Sequence, residues 1–583
     1  MARVGSVSFA RGLLACALAA SAAALALGCG SSSEGATMSE VGEGGADAHP
    51  IATSDSNSMC KASIAQGALL GKAAGTTCEY LGIPYGAPPT GSLRFMPPQP
   101  AAGWMTPRDA TAYGPGCLQA SAGLGSVGTT SEDCLSVNVF TPKSAPAQPL
   151  PVMVFIYGGA FTSGASSTYN GEPLSEKGPV VLVTLNYRLG ALGFLALPEL
   201  DSERTGAPSG SDGIRDQQLA LKWVHDNIAT FNGDPANVTV FGESAGGTST
   251  CIHIVSPGSQ GLANRFIIES GLCAGQAPEI TTRAQAYEVG AELSASVCGG
   301  DAGVSDAGAS EAGAADVLTC LRAADPMKIV TWVPAAGAPS TSGSALGNLL
   351  GPPFSPTVEG PGGVLPDTPM NIIASGAYNK DATVLAGSNK NEWGLFVALA
   401  TNPAFGGSST SPLNITTVAQ LDTAIEAVYG AGASKVEAVY AVPGMVTDAT
   451  AAQADIDMAT DYAFRCPARE FARAMLAHGT QHYYLYSYEV GPAWHSFELV
   501  PLFDLSALSA LGAASPSLGV TDDMLGFWTH FATTGDPSGA AGAPTWPSYA
   551  TASDQYLQLV EPTPTTVTNF RQAQCDFWAS YTP

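Results

Sequence analysis

Val238-Thr-Val-Phe-Gly242-Glu243-Ser244-Ala245-Gly246-Gly247 is the stretch on which the reading of this chain turns. Four residues of β-type sequence run into a Gly-x-Ser-x-Gly pentapeptide, and a small-residue segment able to start a helix follows. A strand, a sharp turn carrying Ser244 and a helix make the nucleophile-elbow pattern. Such a turn holds its serine in a strained backbone conformation, so the residues two before and two after it must be small. The helix aims its first N–H groups at the serine, where a developing anion would be stabilised. An ordinary Gly/Ser turn carries the same letters, so the rest of the chain must decide between the two.

Outward from the elbow, buried-strand sequence alternates with helical spacing. Residues 151–157 read as a strand ending in Gly158-Gly159-Ala160-Phe161, a turn whose small residues leave a ligand room. Residues 180–187 read as another strand, closed by Arg188. Residues 212–231 have helical spacing, with Ile214, Leu219, Leu221, Trp223, Val224 and Ile228. Strand sequence returns at 266–268, 382–387 and 483–488, with helical segments over 415–480, 524–532 and 570–581. This alternation predicts an α/β fold: a large, mostly parallel, doubly wound sheet flanked by helices. Short alternating segments over 60–85 predict a small N-terminal antiparallel sheet, and 135–140 another strand. Residues 301–316 are a low-complexity run read as a surface loop. Residues 334–365 are rich in Gly, Pro and Ser and read as a long loop, with the question of a lid left open.

The chain has 583 residues, 45% of them hydrophobic, enough for a large core. Its net charge of −26 excludes a nucleic-acid role, because no basic stripe is present to meet phosphates. The acidity reads as solubility. Residues 1–29 read as an export signal: Arg3 and Arg11, then an apolar run over 12–28. It ends Ala26-Leu27-Gly28-Cys29, which resembles a bacterial lipoprotein signal. Two fates stay open, lipidation of Cys29 with membrane anchoring in the cell envelope, or cleavage and secretion. Residues 30–58 read as a disordered Gly/Ser/acidic tether, and 59–583 as one catalytic domain. Of twelve cysteines, Cys16 and Cys29 lie in the signal, leaving ten in an exported chain, so disulfides are expected.

In a doubly wound sheet the working residues sit at the carboxyl ends of the strands, in the order nucleophile, acid, histidine. Four histidines lie well beyond Ser244. His478 and His482 precede the strand at 483–488 and so lie at its wrong end, and His530 lies inside a helical pattern. His495 alone follows a strand in a loop and is the candidate base. Glu392, just after the strand at 382–387, is the candidate acid. The Gly158-Gly159-Ala160 turn and the amide of Ala245 are candidate oxyanion donors, each worth roughly 3–4 kcal/mol in an acyl-transfer site.

These residues resemble the type-B carboxylesterases, the cholinesterase/carboxylesterase group of α/β-hydrolases, over about residues 78–580. The likeness rests on Phe-Gly-Glu-Ser-Ala-Gly-Gly around Ser244, on Glu132-Asp133-Cys134-Leu135-Ser-Val-Asn138-Val, and on Tyr157-Gly158-Gly159-Ala160-Phe161. Ser388-Asn-Lys-Asn-Glu392 is similar to the acid segment and Trp494-His495 to the histidine loop. The resemblance implies an α/β-hydrolase fold and a serine carboxylesterase that cleaves small-molecule carboxylic esters through an acyl-enzyme. It implies Ser244, His495 and Glu392 as triad and the amides of Gly159, Ala160 and Ala245 as oxyanion hole, beside Gly158. It implies a polar network of Glu243, Ser270 and Glu498 behind the histidine, and ion pairs Arg94–Glu132 and Arg188–Asp216. It implies disulfides Cys117–Cys134, Cys298–Cys320 and Cys466–Cys575. Cys60–Cys78 and Cys251–Cys273 are expected from proximity in sequence. Trp393 and Phe396 are read either as pocket lining or as core. Residues 118–133 lack the tryptophan by which choline-specific members grip a quaternary ammonium. The competing readings are a lipase or a carbamate or amide hydrolase, and a non-catalytic recognition protein on the same fold. No metal-ligand cluster or cofactor motif stands in the sequence, and neither a metal nor a cofactor is expected.

Overall fold

Long runs of Val, Ile, Leu, Phe and Tyr make strands with no solvent face. Leu150–Ile156, Val181–Leu185 and Tyr483–Tyr488 are buried at every position, so each must lie inside a sheet covered on both sides. The computed structural model describes residues 60–582 except 121–126, 145, 275–278, 300–313, 335–351, 404–406, 504, 506–507, 509–516 and 540–542. The export signal with Cys29, the tether over 30–58, and residues 301–313 and 335–351 of the two long loops lie outside the described residues.

In chain order the main sheet contains β1 (Lys72–Ala74), β2 (Thr77–Pro84), β3 (Ser136–Pro142), β4 (Leu150–Ile156), β5 (Val181–Leu185) and β6 (Gly233–Glu243). It continues with β7 (Arg265–Glu269), β8 (Thr383–Asn389), β9 (Tyr483–Tyr488), β10 (Tyr556–Leu559) and β11 (Thr565–Val567). Across the sheet the order is β1-β2-β3-β5-β4-β6-β7-β8-β9-β10-β11. The strands from β5 to β10 are parallel, and both edges are antiparallel. This is the α/β-hydrolase architecture. The exchange of β4 and β5 puts β4 directly beside β6, with Ile156 opposite Gly242. The turn after β4 and the turn after β6 therefore open side by side.

The N-terminal region divides differently from the sequence reading. Lys61–Ile64 pairs antiparallel with Gly67–Leu70, and Arg108–Asp109 adds a parallel third strand to that small sheet. The next hairpin, β1 and β2, joins the main sheet instead. The strand β2 is almost wholly buried and pairs antiparallel with β3, which makes it an inner strand of the main sheet. The low-complexity run is also shorter than expected, since a helix begins at Ala314. Within the 334–365 loop, Thr357–Val358 pairs with Thr281–Thr282.

The helices that position the site are α1 (Asp212–Asn227), α2 (Ala245–Val255), α3 (Trp393–Thr401), α4 (Val418–Tyr429), α5 (Ala433–Tyr440), α6 (Asp448–Thr460), α7 (Cys466–Ala477), α8 (Leu518–Thr534) and α9 (Gln572–Ser580). Every residue of α2 is buried, which follows from its position against β6, β7 and β4. Helices α4, α5, α6 and α9 close over a second apolar core that includes Leu421, Ile425, Tyr429, Val436, Met458, Tyr462 and Trp578.

Among the described residues five disulfides are present: Cys60–Cys78, Cys117–Cys134, Cys251–Cys273, Cys298–Cys320 and Cys466–Cys575. They fit an extracellular or secreted protein. Among the described residues no helix is long and apolar enough to cross a membrane. Arg94 grips Glu132 with two hydrogen bonds (2.7 and 2.6 Å), and Arg188 grips Asp216 likewise (2.8 and 2.7 Å). The second pair locks the end of β5 onto α1.

Candidate active site

Ser244 stands between β6 and α2 with φ 58° and ψ −124°. A non-glycine residue in that region costs roughly 1–3 kcal/mol and persists only where the surroundings over-determine it. Here they do. Its N–H donates to the Glu269 carbonyl (2.9 Å), and its carbonyl accepts the Thr248 N–H (2.9 Å). The flanking glycines are required by approach rather than by torsion. A Cβ on Gly246 would lie 1.9 Å from the Ile156 carbonyl oxygen, and one on Gly242 would lie 2.5 Å from the same atom. A Cβ on Gly158 would lie 2.8 Å from Ser244 Cβ. The turn after β4 is thus pressed against the serine.

That turn continues through Gly159 (φ 111°), Ala160 (φ 53°) and Phe161 (φ 57°). The Gly159 carbonyl accepts the N–H groups of Thr162 and Ser163, both at 3.0 Å, which closes the turn. Among the described residues the amides of Gly159, Ala160 and Ala245 donate in none of the turn, loop or cap hydrogen bonds. Alanine at 160 keeps its N–H while adopting a left-handed conformation that glycine would adopt without strain.

Glu392 follows β8 at the start of α3 and is fully buried. Its Oε1 accepts from the Ser270 hydroxyl and from the Asn389 N–H, both at 2.6 Å. Its Oε2 lies 2.6 Å from His495 Nδ1. His495 sits in the loop after β9, with the rings of Phe464 and Phe396 at 5.1 and 5.3 Å. Its Nε2 lies 3.2 Å from Glu243 Oε1, which also accepts the Ser496 hydroxyl at 2.7 Å. Among the described residues no hydrogen bond joins His495 to Ser244. Glu498 accepts from Asn389 Nδ2 and, at 3.4 Å, from the Ser270 hydroxyl. Ser244, Glu243, Ser270, Glu392, His495 and Glu498 therefore converge at the carboxyl ends of β6 to β9. Trp393 does not join them, because it turns into the second core; Phe396 does, as a face for the imidazole.

The electrostatics centre on the imidazole. Burial disfavours its charged form, but the carboxylates of Glu243 and then Glu392 outweigh that and raise its pKa to about 10. Burial raises Glu243, and raises Glu498 well above the ordinary carboxylate range. With carboxylates on both ring nitrogens, the imidazole is held in its charged form.

Two further carboxyls lie close by. Burial pushes Glu269 up to about 8; its Oε1 accepts Trp528 Nε1–H at 3.1 Å, and its Oε2 has no partner among the described residues. Burial pushes Glu279 up to about 7, and its Oε2 accepts the Thr248 hydroxyl at 2.9 Å. Sequence reasoning missed both. Glu269 carried a signal, an acidic residue ending an apolar strand; Glu279 carried none. Among the described residues no group of three His, Cys, Asp or Glu side chains could hold a metal ion.

Two comparisons bear on this arrangement. The sequence profile of the carboxylesterase family matches residues 59–578. The acetylcholinesterase of Bungarus fasciatus is 31% identical over 549 residues, covering 87% of this chain and 83% of that protein.

Proposed function

Since the chain belongs to the carboxylesterase family and is a carboxylic ester hydrolase, we propose that it works through a Ser244–His495–Glu392 triad and an acyl-enzyme. The observation that carries this reading is the convergence of a serine held at φ 58° with a buried histidine whose Nδ1 lies 2.6 Å from a buried glutamate. Ser244 Oγ attacks the ester carbonyl as His495 Nε2 takes its proton. The negative charge on the carbonyl oxygen faces the amides of Gly159, Ala160 and Ala245. His495 returns the proton to the departing alcohol. Water then repeats the sequence, and the acid leaves with Ser244 restored. Glu392 fixes the imidazole's orientation and stabilises its charged form, while Glu243, Ser270 and Glu498 hold the ring and the acid in place.

The substrates we assign are neutral or apolar carboxylic esters. The similar acetylcholinesterase acts, by its name, on a choline ester. Here residues 118–133 contain no aromatic ring to receive a quaternary ammonium. Residues 59–583 form the catalytic domain, and residues 1–29 export it, either released or anchored through Cys29. The mass of the mature N-terminus separates those two fates. The catalytic reading is tested with p-nitrophenyl esters of rising acyl length and a fluorophosphonate probe. Wild type is expected to turn over short esters and to be labelled at Ser244; Ser244→Ala is expected to do neither while folding normally. A wild type that neither turns over an ester nor takes the label would sink the reading. A steep preference for long chains at an oil–water interface would favour a lipase.

A further inference from the structure

The segment after β7 touches both halves of the proposed machinery. It starts at Ser270, whose hydroxyl donates to Glu392. It then crosses α2 so closely that a Cβ on Gly271 would lie 2.5 Å from the Gly247 carbonyl carbon. The Leu272 N–H donates to Thr248 Oγ1 (2.9 Å), and that hydroxyl in turn donates to Glu279 Oε2 (2.9 Å). One turn further along α2, Cys251 is bonded to Cys273. Thr248 also donates its N–H to the Ser244 carbonyl. A single hydroxyl therefore joins the nucleophile helix, the loop and a buried carboxyl.

A buried carboxyl on a purely structural tie is a costly choice, since a neutral amide would make the same hydrogen bond without charge desolvation. Among the described residues no Lys, Arg or His forms an ion pair with Glu279, so its charge is not cancelled locally. Thr248 from α2 is hydrogen-bonded to it, and the titratable groups that act on it through charge are Tyr187 from the end of β5, Glu243 from the end of β6 and His495 from the loop after β9. His495 itself is faced by Glu243, Glu392 and Glu498.

We propose that Glu279 is a positioning residue of the esterase: through Thr248 it fastens the loop after β7 to the first turn of α2, and its carboxylate adds to the field that holds the proton on His495. The proposal rests on the reading of Ser244 and His495 given above. Its sign is fixed. Glu279 ionises around neutral pH, below the pH at which His495 gives up its proton, so it is an anion when the histidine titrates. Removing that charge makes the imidazolium easier to deprotonate, and the acid limb of kcat/KM, which reports the free enzyme's base, moves to lower pH.

The test uses the full-length enzyme and two readouts, the pH dependence of kcat/KM for a p-nitrophenyl ester and that of the fluorophosphonate labelling rate. Glu279→Gln is expected to move both acid limbs down by roughly half a pH unit. Glu279→Asp, which keeps the charge, is expected to hold them near wild type. Thr248→Val is expected to raise KM a few-fold, roughly, because the tie to the loop is lost while the charge stays. Coincident acid limbs for wild type and Glu279→Gln in both readouts would overturn the proposal, as would equal shifts for Glu279→Asp and Glu279→Gln. An inert wild type would instead overturn the assignment of Ser244 and carry this proposal down with it.

Discussion

On one side of Ser244, β6 and α2 are held by backbone against backbone: Gly242 and Gly246 lie on the Ile156 carbonyl, Gly247 on Glu269, and Gly158 on the serine itself. On the other side, the loop carrying His495 is held by buried carboxyls: Glu392 on Nδ1, Glu243 on Nε2, Glu498 behind. Contact of the first kind is steric, short-ranged and indifferent to pH. Contact of the second kind depends on which groups carry protons. Damage to the elbow should therefore appear as lost fold or lost turnover at every pH. Damage to the histidine side should appear as a displaced pH profile. That division is what the following experiments try to break.

The largest effect is expected at Gly246. A methyl group there meets the Ile156 carbonyl oxygen at 1.9 Å, and both atoms belong to packed backbone that cannot yield. Gly246→Ala is expected to lose several kcal/mol, roughly, and to give little soluble enzyme. Solubility on expression and fluorophosphonate labelling of any soluble fraction measure it. A soluble, labelled variant would show that the elbow is held less tightly than its distances imply.

Next comes Glu392, where the two modes meet. Glu392→Gln keeps the shape but puts a neutral amide against the imidazole and the Ser270 hydroxyl. A fall of about 10³–10⁴ in kcat is expected, with circular dichroism unchanged. Steady-state kinetics across pH are the check. Loss at all pH values marks an orienting role, whereas recovery at high pH would mark a purely electrostatic one.

This contrast also explains what could be read in advance. The elbow, the turn after β4 and the buried strands are legible because each depends on residues adjacent in sequence: a small residue two before and two after Ser244, or an unbroken apolar run. His495 is legible by its place after β9, and Glu392 by its place after β8. The exchange of β4 and β5 is not, since pairing order leaves no mark on either strand. Nor is the contact between Glu243 and His495 Nε2, because a loop 253 residues further along the chain brings Ser496 and His495 to that carboxylate. Glu279 is hidden for the same reason; its partner Thr248 lies 31 residues away on a different element.

A smaller, directional effect is expected at Glu243. Its Coulombic pull is the first of those that raise His495 against the effect of burial, while Glu392 acts by both charge and hydrogen bond. An imidazole raised in this way is protonated, and idle as a base, below its folded pKa. Glu243→Gln should therefore shift the acid limb of kcat/KM to lower pH by about one unit. The shift should exceed that of Glu279→Gln, because Glu243 lies 3.2 Å from Nε2. An acid limb that stays in place while kcat falls would mean that Glu243 acts by contact alone, and would erase the distinction drawn between the two sides.

The smallest effect on turnover is expected at Glu269, which belongs to both sides. Its carbonyl accepts the Ser244 N–H on the steric side, and its side chain is a buried acid pushed up to about 8 by desolvation. An acid whose folded pKa is raised binds a proton on folding. Its contribution to stability is therefore present in full below the ordinary carboxylate range and is lost as pH rises through about 8. Glu269→Gln keeps the backbone contact and the hydrogen bond from Trp528 but cannot ionise. At about pH 3 the variant should melt with wild type, since the Glu269 side chain is then neutral in both the folded and the unfolded chain. At pH 8 it should melt higher, by roughly a few kcal/mol or a few °C for a chain of this length. Scans at one heating rate at both pH values, with the Tm difference between variant and wild type as the measured quantity, decide it. A difference that does not change with pH would mean that the Glu269 carboxyl is solvated or paired in the folded protein. The elbow side would then be free of titration altogether, and the division between its two flanks would be complete.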